Sequence, residues 1–355
     1  MNYLGMDVHS KSTVWCLLDA GGEVIGEGVV ETTEPGLSAL VKELASEEEI
    51  VAGQEVGTMS YFVHDVLMAA GTKLLSFNAA QLRMIAASRK KTDRRDAYWI
   101  AKALGSGMYP HPVYIPTGEI RELRALLSRR QMLQAERNRW QYRARAALRG
   151  CGRKVRAGKH SLRRSLKAYL EVDCGLPGEL RELLALCQRQ EASLSLELRR
   201  VEVSLGERAH AIEAIARLKT IPGVGDLVAT TIYAWVGEIG RFRDAKSLTA
   251  YAGLVPSVYQ SAASQRSGGI TKQGSKALRS VLVQAAHTLM NCCRGAEARP
   301  LQEIGARVRT SRGRRKIATV AIARHLLRIA YYVLRDGTTY APERLRGAGK
   351  RPQAA

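Results

Sequence analysis

The sequence has few cysteines and no long uninterrupted apolar run. Its six cysteines show no paired CxxC spacing and no matching histidines, which excludes a zinc site of the usual spacing and indicates reduced thiols in an intracellular protein. No run of 18 apolar residues is present, so we expect no membrane-spanning helix. The N-terminal residues lack a basic stretch followed by an apolar run and a cleavage site, so we expect no signal peptide. The cysteines are Cys16, Cys151, Cys174, Cys187, Cys292 and Cys293.

Acidic residues are scarce in two stretches of the chain. Residues 121–167 contain 16 Lys/Arg and 2 acidic residues, and residues 307–351 contain 13 and 2. The first 106 residues, in contrast, contain 10 basic and 14 acidic residues. The formal net charge of +22 points to a polyanionic partner such as DNA or RNA. Its uneven distribution excludes a uniformly basic packaging protein and predicts an acidic module joined to two cationic regions.

The first hundred residues alternate between strand and helix patterns. Strands over 2–8, 12–19 and 23–31 predict a meander. They are followed by a helix over 35–45, a strand over 49–55, a helix over 60–70, a strand over 72–77 and a helical segment through 106. This order is typical of the mixed sheet of a ribonuclease H-like nuclease fold.

The rest of the chain is predicted to be mostly helical. Leucines at helical spacing predict a long helix or helical hairpin over about 116–170, interrupted by Gly150, Gly152 and Gly158, and a second helix over 177–218. Two such helices could form an antiparallel pair or an oligomer seam. From Ile221 onward glycine-bearing turns separate helices, and the basic tail reads as disordered. We therefore predict an α/β domain at 1–108, a basic helical region at 109–212, a mostly helical domain at 213–341 and a tail at 342–355.

Four carboxylates of the first domain suit two-metal phosphodiester chemistry. Asp7 ends the first strand, Glu55 ends the fourth strand, and Asp93 and Asp96 lie at the start of a helix. Residues spaced i, i+3 lie about 5–6 Å apart at Cβ on one helical face. Mg²⁺ prefers oxygen ligands, and two such ions roughly 4 Å apart can polarise a phosphate.

Each of these carboxylates also has a plainer interpretation. Asp93 and Asp96 could simply stabilise a helix N-terminus capped by Thr92, and Asp7 could be a turn former. Glu55 is harder to dismiss, because a carboxylate next to an apolar run is costly to bury without a partner or metal. His9 beside Asp7 could orient a ligand or have no role, and we favour its interpretation as a solvated turn residue.

A glycine turn separates two helical stretches at Pro222–Gly225, as in a helix-hairpin-helix element. The backbone N–H groups of Gly223 and Gly225 could hold a phosphate at the start of the next helix. The alternative is an ordinary joint between two helices, because the carboxylate of Asp226 would compete with a phosphate.

A segment rich in serine, glycine and basic residues precedes an apolar helix that begins at about Ala277, and we predict that it is a loop. Its glycines would let a backbone approach closely. Its serines are candidate nucleophiles or ordinary solvent-facing and capping residues, and the residue pattern does not choose among them. Candidate phosphate clamps are Arg266, Lys272, Lys276 and Arg279; candidate serines are Ser257, Ser261, Ser264, Ser267, Ser275 and Ser280.

These motifs occur together in one order: GMDVHSK, AGQEVGT, KKTDRRDA, IPGVG, AYAGLVPSVYQS and ITKQGSKALR. From about residue 2 to 341 the chain resembles the DEDD-type insertion-sequence transposases, the insertion sequence one-ten family, with the Piv-like invertases as relatives. The resemblance implies a RuvC-like domain that binds Mg²⁺, a coiled-coil middle that mediates assembly and a C-terminal transposase domain. The implied Mg²⁺ ligands are Asp7, Glu55, Asp93 and Asp96.

The resemblance also implies a serine that attacks DNA and forms a phosphoserine intermediate. Its position after Tyr259 and Gln260 makes that residue Ser261. The family usually has glycine next, whereas this chain has Ala262, and the SGG sequence at Ser267 keeps that serine as an alternative. A metal or a carboxylate of the RuvC-like domain would have to activate the serine.

The partners implied by the resemblance are donor and target DNA, a structured noncoding bridge RNA, and further copies of the chain in a homodimer that assembles to a homotetramer. A cytoplasmic, nucleoid-associated bacterial protein without a membrane partner is expected. The first hypothesis is therefore an RNA-guided recombinase. The alternatives are a site-specific DNA invertase or junction resolvase that uses water as nucleophile, and a nucleic-acid-binding scaffold whose carboxylates are structural.

Overall fold

A computed structural model describes residues 1–45, 48–85, 92–153, 155, 161–171, 175–261 and 264–342. The chain divides into two compact units, Met1–Pro116 and Thr117–Ala355, and the described residues of each have their own hydrophobic core. The division of the chain at 108 and 212 stays a prediction. Residues 343–355 of the predicted tail lie outside the described residues.

A five-stranded mixed sheet forms the centre of the first unit. Its strands are β1 (Asn2–Val8), β2 (Ser12–Leu18), β3 (Val24–Glu31), β4 (Ile50–Glu55) and β5 (Lys73–Phe77), in the order β3-β2-β1-β4-β5. The β1–β2 and β2–β3 pairs are antiparallel, whereas β1–β4 and β4–β5 are parallel. The predicted meander followed by alternating helix and strand is confirmed, while the ribonuclease H-like assignment stays a prediction.

Helices cover both faces of this sheet because strand side chains alternate in direction. The helices are α1 (Glu34–Leu44), α2 (Ser60–Ala69), α3 (Ala79–Ile85) and α4 (Asp93–Ser106). Leu4 and Met6 of β1 share one core with apolar residues of α1 and α2. On the opposite face, α4 packs its buried alanines against Val14 and Cys16 of β2.

Two glycines allow α4 to lie against the sheet. A Cβ added at Gly5 would lie 1.9 Å from the Ala97 carbonyl oxygen, and one added at Gly53 would lie 2.8 Å from side-chain carbons of Ile100 and Leu104. Any larger residue at Gly5 would therefore push α4 away from the strands. The absence of side chains at these two positions lets the stretch of α4 from Ala97 to Leu104 lie close to the strands.

The second unit begins with two 33-residue helices, α5 (Gly118–Gly150) and α7 (Gly178–His210), separated by α6 (Ser161–Glu171). Arg130 Nη2 lies 2.7 Å from Glu202 Oε1, and Gln141 Nε2 donates to Glu191 at 3.2 Å. Partner numbers fall along α7 as they rise along α5, so the two helices are antiparallel. This confirms one of the two predicted arrangements.

The remainder of the second unit is helical apart from one hairpin. Its elements are α8 (Glu213–Lys219), α9 (Asp226–Val236), α10 (Ala245–Tyr251), β6 (Pro256–Ser261), β7 (Ser264–Ile270), α11 (Lys276–Asn291), α12 (Arg299–Arg312) and α13 (Arg315–Asp336), with short 3₁₀ turns at Ile239–Arg241 and Ala296–Ala298.

Two sequence predictions for this region are wrong. The segment predicted as a loop contains the antiparallel β6–β7 pair, because hydrogen bonding between strands does not require the apolar alternation that the sequence lacks. The helix predicted over 177–218 is interrupted after His210, where Ile212 turns into the core before α8 begins. The helix predicted from about Ala277 is confirmed as α11.

Helix α13 is apolar and 22 residues long, which by length and composition would suffice to cross a membrane. Half of its most apolar window is buried inside the described structure. Ile322, Leu326 and Ala330 are fully buried in the core of the second unit. We interpret α13 as the central core helix of that unit, with Arg324 and Arg328 interrupting its apolar run.

The described cysteines form no disulfide with one another. Burial raises the pKa of the Cys16 and Cys187 thiols, which favours their protonated form. Cys174 lies outside the described residues.

Candidate active site

Two carboxylates lie at the ends of neighbouring parallel strands. Gly5 of β1 and Gly53 of β4 are register partners, and Asp7 and Glu55 each follow two residues later. Because strand side chains alternate, both carboxylates belong to the face on which α4 packs, and neighbouring strands are about 4.8 Å apart. The strand ends thus meet as the sequence predicted.

The other two carboxylates lie in the first turn of α4. The carbonyl oxygen of Ala97 in α4 lies against Gly5 of β1. Asp93 is four residues before Ala97 and therefore lies on the same face of the helix, near the end of β1. Thr92 occupies the N-cap position but its side chain makes no capping hydrogen bond. The acidic first turn can still stabilise the helix N-terminus through the helix dipole, so both interpretations of Asp93 and Asp96 stay open.

His9 lies between carboxylates of the strand and the helix. Its Nε2 atom is 3.3 Å from Asp7 Oδ2 and 3.4 Å from Asp93 Oδ2. One ligand atom from each of these three residues lies within 4.8 Å of the others, which makes them a group that could hold a metal ion. The half-exposed side chain agrees with the interpretation of His9 as a solvated turn residue, and the structure adds that this residue lies near two carboxylates.

The electrostatics of Asp7 link all four carboxylates. Burial raises the pKa of Asp7, and the negative charges of Asp93, Asp96 and Glu55 raise it further, while His9 acts in the opposite direction. A divalent cation would relieve this repulsion, and the oxygen-rich donor set suits a hard cation. The residues present therefore fit a metal centre.

The candidate nucleophiles lie in the β6–β7 hairpin. Ser261 is the last residue of β6 and pairs with Ser264, whereas Ser267 lies within β7 and pairs with Val258. Residues 262–263 and the side chains of 258–261 and 264–267, including Tyr259 and Arg266, lie outside the described structure. The choice of Ser261 over Ser267 stays a prediction.

Two of the other serines have structural partners. Ser257 Oγ donates to the Gly269 carbonyl at 3.0 Å across the hairpin. Ser275 caps α11 and accepts a hydrogen bond from the Leu278 N–H at 3.2 Å. These contacts favour the structural interpretation of both residues.

The predicted glycine turn joins α8 to α9. Gly223 has a φ of +81°, and a Cβ there would lie 2.9 Å from the Ala285 carbonyl oxygen, so glycine is required for both reasons. Gly225 is the N-cap residue of α9, and because glycine has no side chain it cannot cap the helix with one. Asp226 Oδ1 lies 2.5 Å from Lys219 Nζ, and the hydrogen bond from Lys219 lowers the pKa of Asp226. The turn is thus built as predicted, whereas its phosphate binding stays a prediction.

The predicted phosphate clamps differ in exposure. Lys272 and Lys276 are exposed, the first in a turn with a φ of +57° and the second at the start of α11. Arg279 is half-buried, and its Nη1 atom donates to the Ala252 carbonyl at 3.0 Å. Arg279 thus braces the end of α10, while phosphate binding by these residues stays a prediction.

Two parts of the chain match models of transposase families. Residues 4–152 match a DEDD model of the IS110 type, described as "Transposase", and residues 215–301 match one described as "Transposase IS116/IS110/IS902 family". The first match includes Asp7, Glu55, Asp93 and Asp96, and the second includes the glycine turn and the β6–β7 hairpin.

Several bacterial proteins are similar to the chain. It is 29% identical over 170 residues to a "Probable family 20 transposase" of Pseudomonas aeruginosa, covering 47% of the chain and 49% of that protein. It is 30% identical over 207 residues to the "Transposase for insertion sequence element IS1111A" of Coxiella burnetii, covering 56% and 55%. The match to the "Transposase for insertion sequence element IS1328" of Yersinia enterocolitica is 28% over 166 residues, covering 47% and 49%. The chain spans about half the length of these relatives.

Proposed function

We propose that this chain is a transposase of the IS110/IS116/IS902 family, the enzyme that cleaves and rejoins DNA to move an insertion sequence. The observation that carries the proposal is the group of Asp7, His9 and Asp93, placed beside Glu55 and Asp96 by the packing of α4 on two glycines. Clustered carboxylates are the donor set that phosphodiester chemistry with divalent metals uses.

In this proposal the first unit is a RuvC-like nuclease domain whose four carboxylates bind Mg²⁺. Bound Mg²⁺ would polarise the scissile phosphate and stabilise the charge on the leaving oxygen. The raised pKa of Asp7 supports the assignment, because it reflects burial and neighbouring negative charges that a cation would offset. His9, whose Nε2 atom lies near both carboxylates, would help to position Asp7 and Asp93.

The proposed nucleophile is the hydroxyl of Ser261. Its oxygen attacks the phosphorus of a DNA phosphodiester, a serine–phosphate bond forms, and the bond from phosphorus to one sugar oxygen breaks. The serine proton passes to a neighbouring base and the leaving sugar oxygen becomes a hydroxyl. A sugar hydroxyl of the second strand then attacks the phosphoserine and restores the Ser261 hydroxyl, so the number of phosphoester bonds is conserved.

The proposed partners are donor and target DNA, a structured noncoding bridge RNA, and further copies of the chain in a homodimer and then a homotetramer. The concentration of positive charge in residues 121–167 and 307–351 supports a nucleic-acid partner. Because phosphate contacts give affinity but little sequence readout, a guide RNA would supply the target specificity. Action on DNA in a bacterium implies a cytoplasmic, nucleoid-associated location.

A second candidate function is a DNA invertase or junction resolvase that uses water at the carboxylate centre. It is favoured by one observation: Asp7, His9 and Asp93 form their group within the first unit, whereas Ser261 belongs to the second. Hydrolysed DNA ends without a protein adduct would identify this function.

Covalent trapping of DNA on purified protein with Mg²⁺ separates these functions. The change Ser261→Ala should abolish protein–DNA adducts, because no oxygen remains to form the phosphoester, and should leave nucleic-acid binding intact. Ser280→Ala, which removes an exposed hydroxyl from α11, is the matched control and should retain the adduct. Adducts that persist in Ser261→Ala and disappear only in Ser267→Ala would show that the serine assignment is wrong. Unchanged recombination in Asp93→Asn would refute the metal centre.

A further inference from the structure

A cavity of about 260 Å³ lies between the helices α5, α6 and α7. It adjoins the small core around Leu148 and Leu184. Four arginines from three helices line it, and we name it the arginine cavity. Its arginines are Arg137 and Arg145 of α5, Arg163 of α6 and Arg199 of α7.

The charge of the arginine cavity is not neutralised by the described part of the chain. None of its four arginines lies within ion-pair distance of a described carboxylate, whereas Arg129 and Arg200 of the same helices both pair with Glu197. Glu191, which also lines the cavity, is instead held by hydrogen bonds from Gln141 Nε2 at 3.2 Å and Ser195 Oγ at 3.0 Å. The cavity therefore has an excess of positive charge.

Arg137 has a buried hydrogen-bond donor for which the described residues provide no acceptor. Its Nη2 atom donates to Gln134 Oε1 at 3.1 Å, but its buried Nε–H has no hydrogen-bond partner among the described residues. A buried donor without an acceptor is unfavourable, and most such groups in proteins are paired. An acceptor from outside the chain would satisfy this group.

We propose that the arginine cavity binds the phosphate and sugar of an unpaired RNA nucleotide. Arginines that line one cavity from three helices offer several donors for charge-assisted hydrogen bonds to the oxygens of a phosphate. A duplex is too wide to enter a cavity between helices, whereas an unpaired nucleotide can. Glu191 disfavours a second phosphate but can accept a hydrogen bond from a ribose 2′-hydroxyl, which distinguishes RNA from DNA.

This inference deepens the proposed function and relies on it for the assumption that the partner is a nucleic acid. It adds a place on the three middle helices where an unpaired strand is held. It does not depend on the carboxylate centre or on Ser261, so it can be tested in a binding assay without divalent metal.

The test measures fluorescence anisotropy of a labelled single-stranded RNA of about 12 nucleotides, the DNA strand of equal sequence, and the corresponding duplex, with the full-length protein. The double variant Arg145→Gln/Arg199→Gln should weaken binding of the RNA by about tenfold or more. The slope of log affinity against log salt should decrease by about 0.7 for each phosphate that the variant no longer neutralises. The double variant Arg189→Gln/Arg294→Gln removes the same charge from exposed positions outside the cavity and outside both cationic stretches, and should change affinity by less than about twofold.

Equal losses in the two double variants would overturn the inference, because bulk charge alone would then explain binding. Unchanged RNA binding in the cavity variant, or an equal loss for the duplex, would also overturn it. A larger loss for the DNA strand than for RNA would refute the ribose contact, whereas Glu191→Gln should reduce the preference for RNA.

A second variant keeps the test valid if the first is unstable. Arg145→Lys/Arg199→Lys preserves both charges but removes the forked geometry, so RNA binding should still weaken several-fold. Circular dichroism confirms that this variant is folded, and full affinity in it would contradict recognition by guanidinium groups. If RNA binding fails while Ser261-dependent DNA adducts form, only this inference is wrong.

Discussion

Asp7 occupies a position that is unfavourable for a carboxylate unless a cation is present. Its side chain is only 17% exposed, and Asp93, Asp96 and Glu55 add negative charge around it. His9 offsets part of this charge, but burial is the largest influence and the net effect is a raised pKa. The ionised Asp7 therefore destabilises the metal-free fold, and the same burial and negative charge favour the binding of a cation.

The change Asp7→Asn should therefore stabilise the metal-free protein at neutral pH while preventing metal binding. Because the folded pKa is raised, the folded state holds its proton to higher pH than the unfolded state, and stability falls as pH rises through that interval. The expected gain is a few degrees in Tm at neutral pH, and it should vanish below the ordinary aspartate pKa of about 3.9. Thermal unfolding over a pH series measures this difference.

Thermal unfolding in the presence of Mg²⁺ tests whether Asp7 is needed for metal binding. Mg²⁺ should raise the Tm of the wild-type protein, since a ligand that binds only the folded state stabilises it, and should leave Asp7→Asn unchanged. Glu49→Gln removes an exposed carboxylate from the same unit and is the control that should retain the Mg²⁺ effect. A Tm rise with Mg²⁺ in Asp7→Asn would contradict the assignment.

Among the secondary structure elements, α4 determines whether the four carboxylates meet. The sequence shows that Asp93 and Asp96 begin a helix, but it does not show that Gly5 and Gly53 let this helix lie against the strands. That contact involves residues distant in sequence, and a glycine within a strand can equally mark a bulge or a tight bend.

We predict that Gly5→Ala will destabilise the first unit by about 1–3 kcal/mol or more, because the new Cβ overlaps the backbone of α4. The carboxylates of α4 should move away from β1, so the Mg²⁺-induced rise in Tm should be lost as well. Gly57→Ala is the matched control, since a Cβ there meets no atom within 4 Å. Urea unfolding measures the stability, and a Gly5→Ala protein as stable as Gly57→Ala would show that this contact is not tight.

Elements with a clear hydrophobic period were predictable from the sequence, and polar elements were not. The strands of the first sheet and the antiparallel α5–α7 pair follow apolar patterns that burial imposes. The β6–β7 hairpin has mostly polar residues and so resembles a loop. The proximity of His9 to Asp93 was not predictable for a related reason, because the two residues are far apart in the sequence.

In the whole molecule, acidic chemistry and positive charge are separated between units. The described Asp7, His9 and Asp93 group belongs to Met1–Pro116, while the arginine cavity and the two cationic stretches belong to Thr117–Ala355. Each unit has its own core, so a ligand of one can stabilise it without ordering the other.

Hydrogen exchange followed by mass spectrometry tests this separation. Mg²⁺ should slow amide exchange around residues 5–9, 53–57 and 93–97 and leave the second unit unchanged, because only the first contains the carboxylate centre. The Asp93→Asn protein should show no such protection. Mg²⁺-dependent protection concentrated in α11 or in the β6–β7 hairpin would place the metal elsewhere.

The α5–α7 pair joins the main core of the second unit to a smaller core through a polar middle. Leu127 and Leu205 belong to the core at one end, and Leu148 and Leu184 to the core at the other. Each helix is about 50 Å long, and seven residues inserted in both would add about 10 Å while returning every face to its original direction. The length of this arm can therefore change during evolution by whole heptads without redesign of either core, which would let related proteins adapt the same fold to nucleic acids of different size.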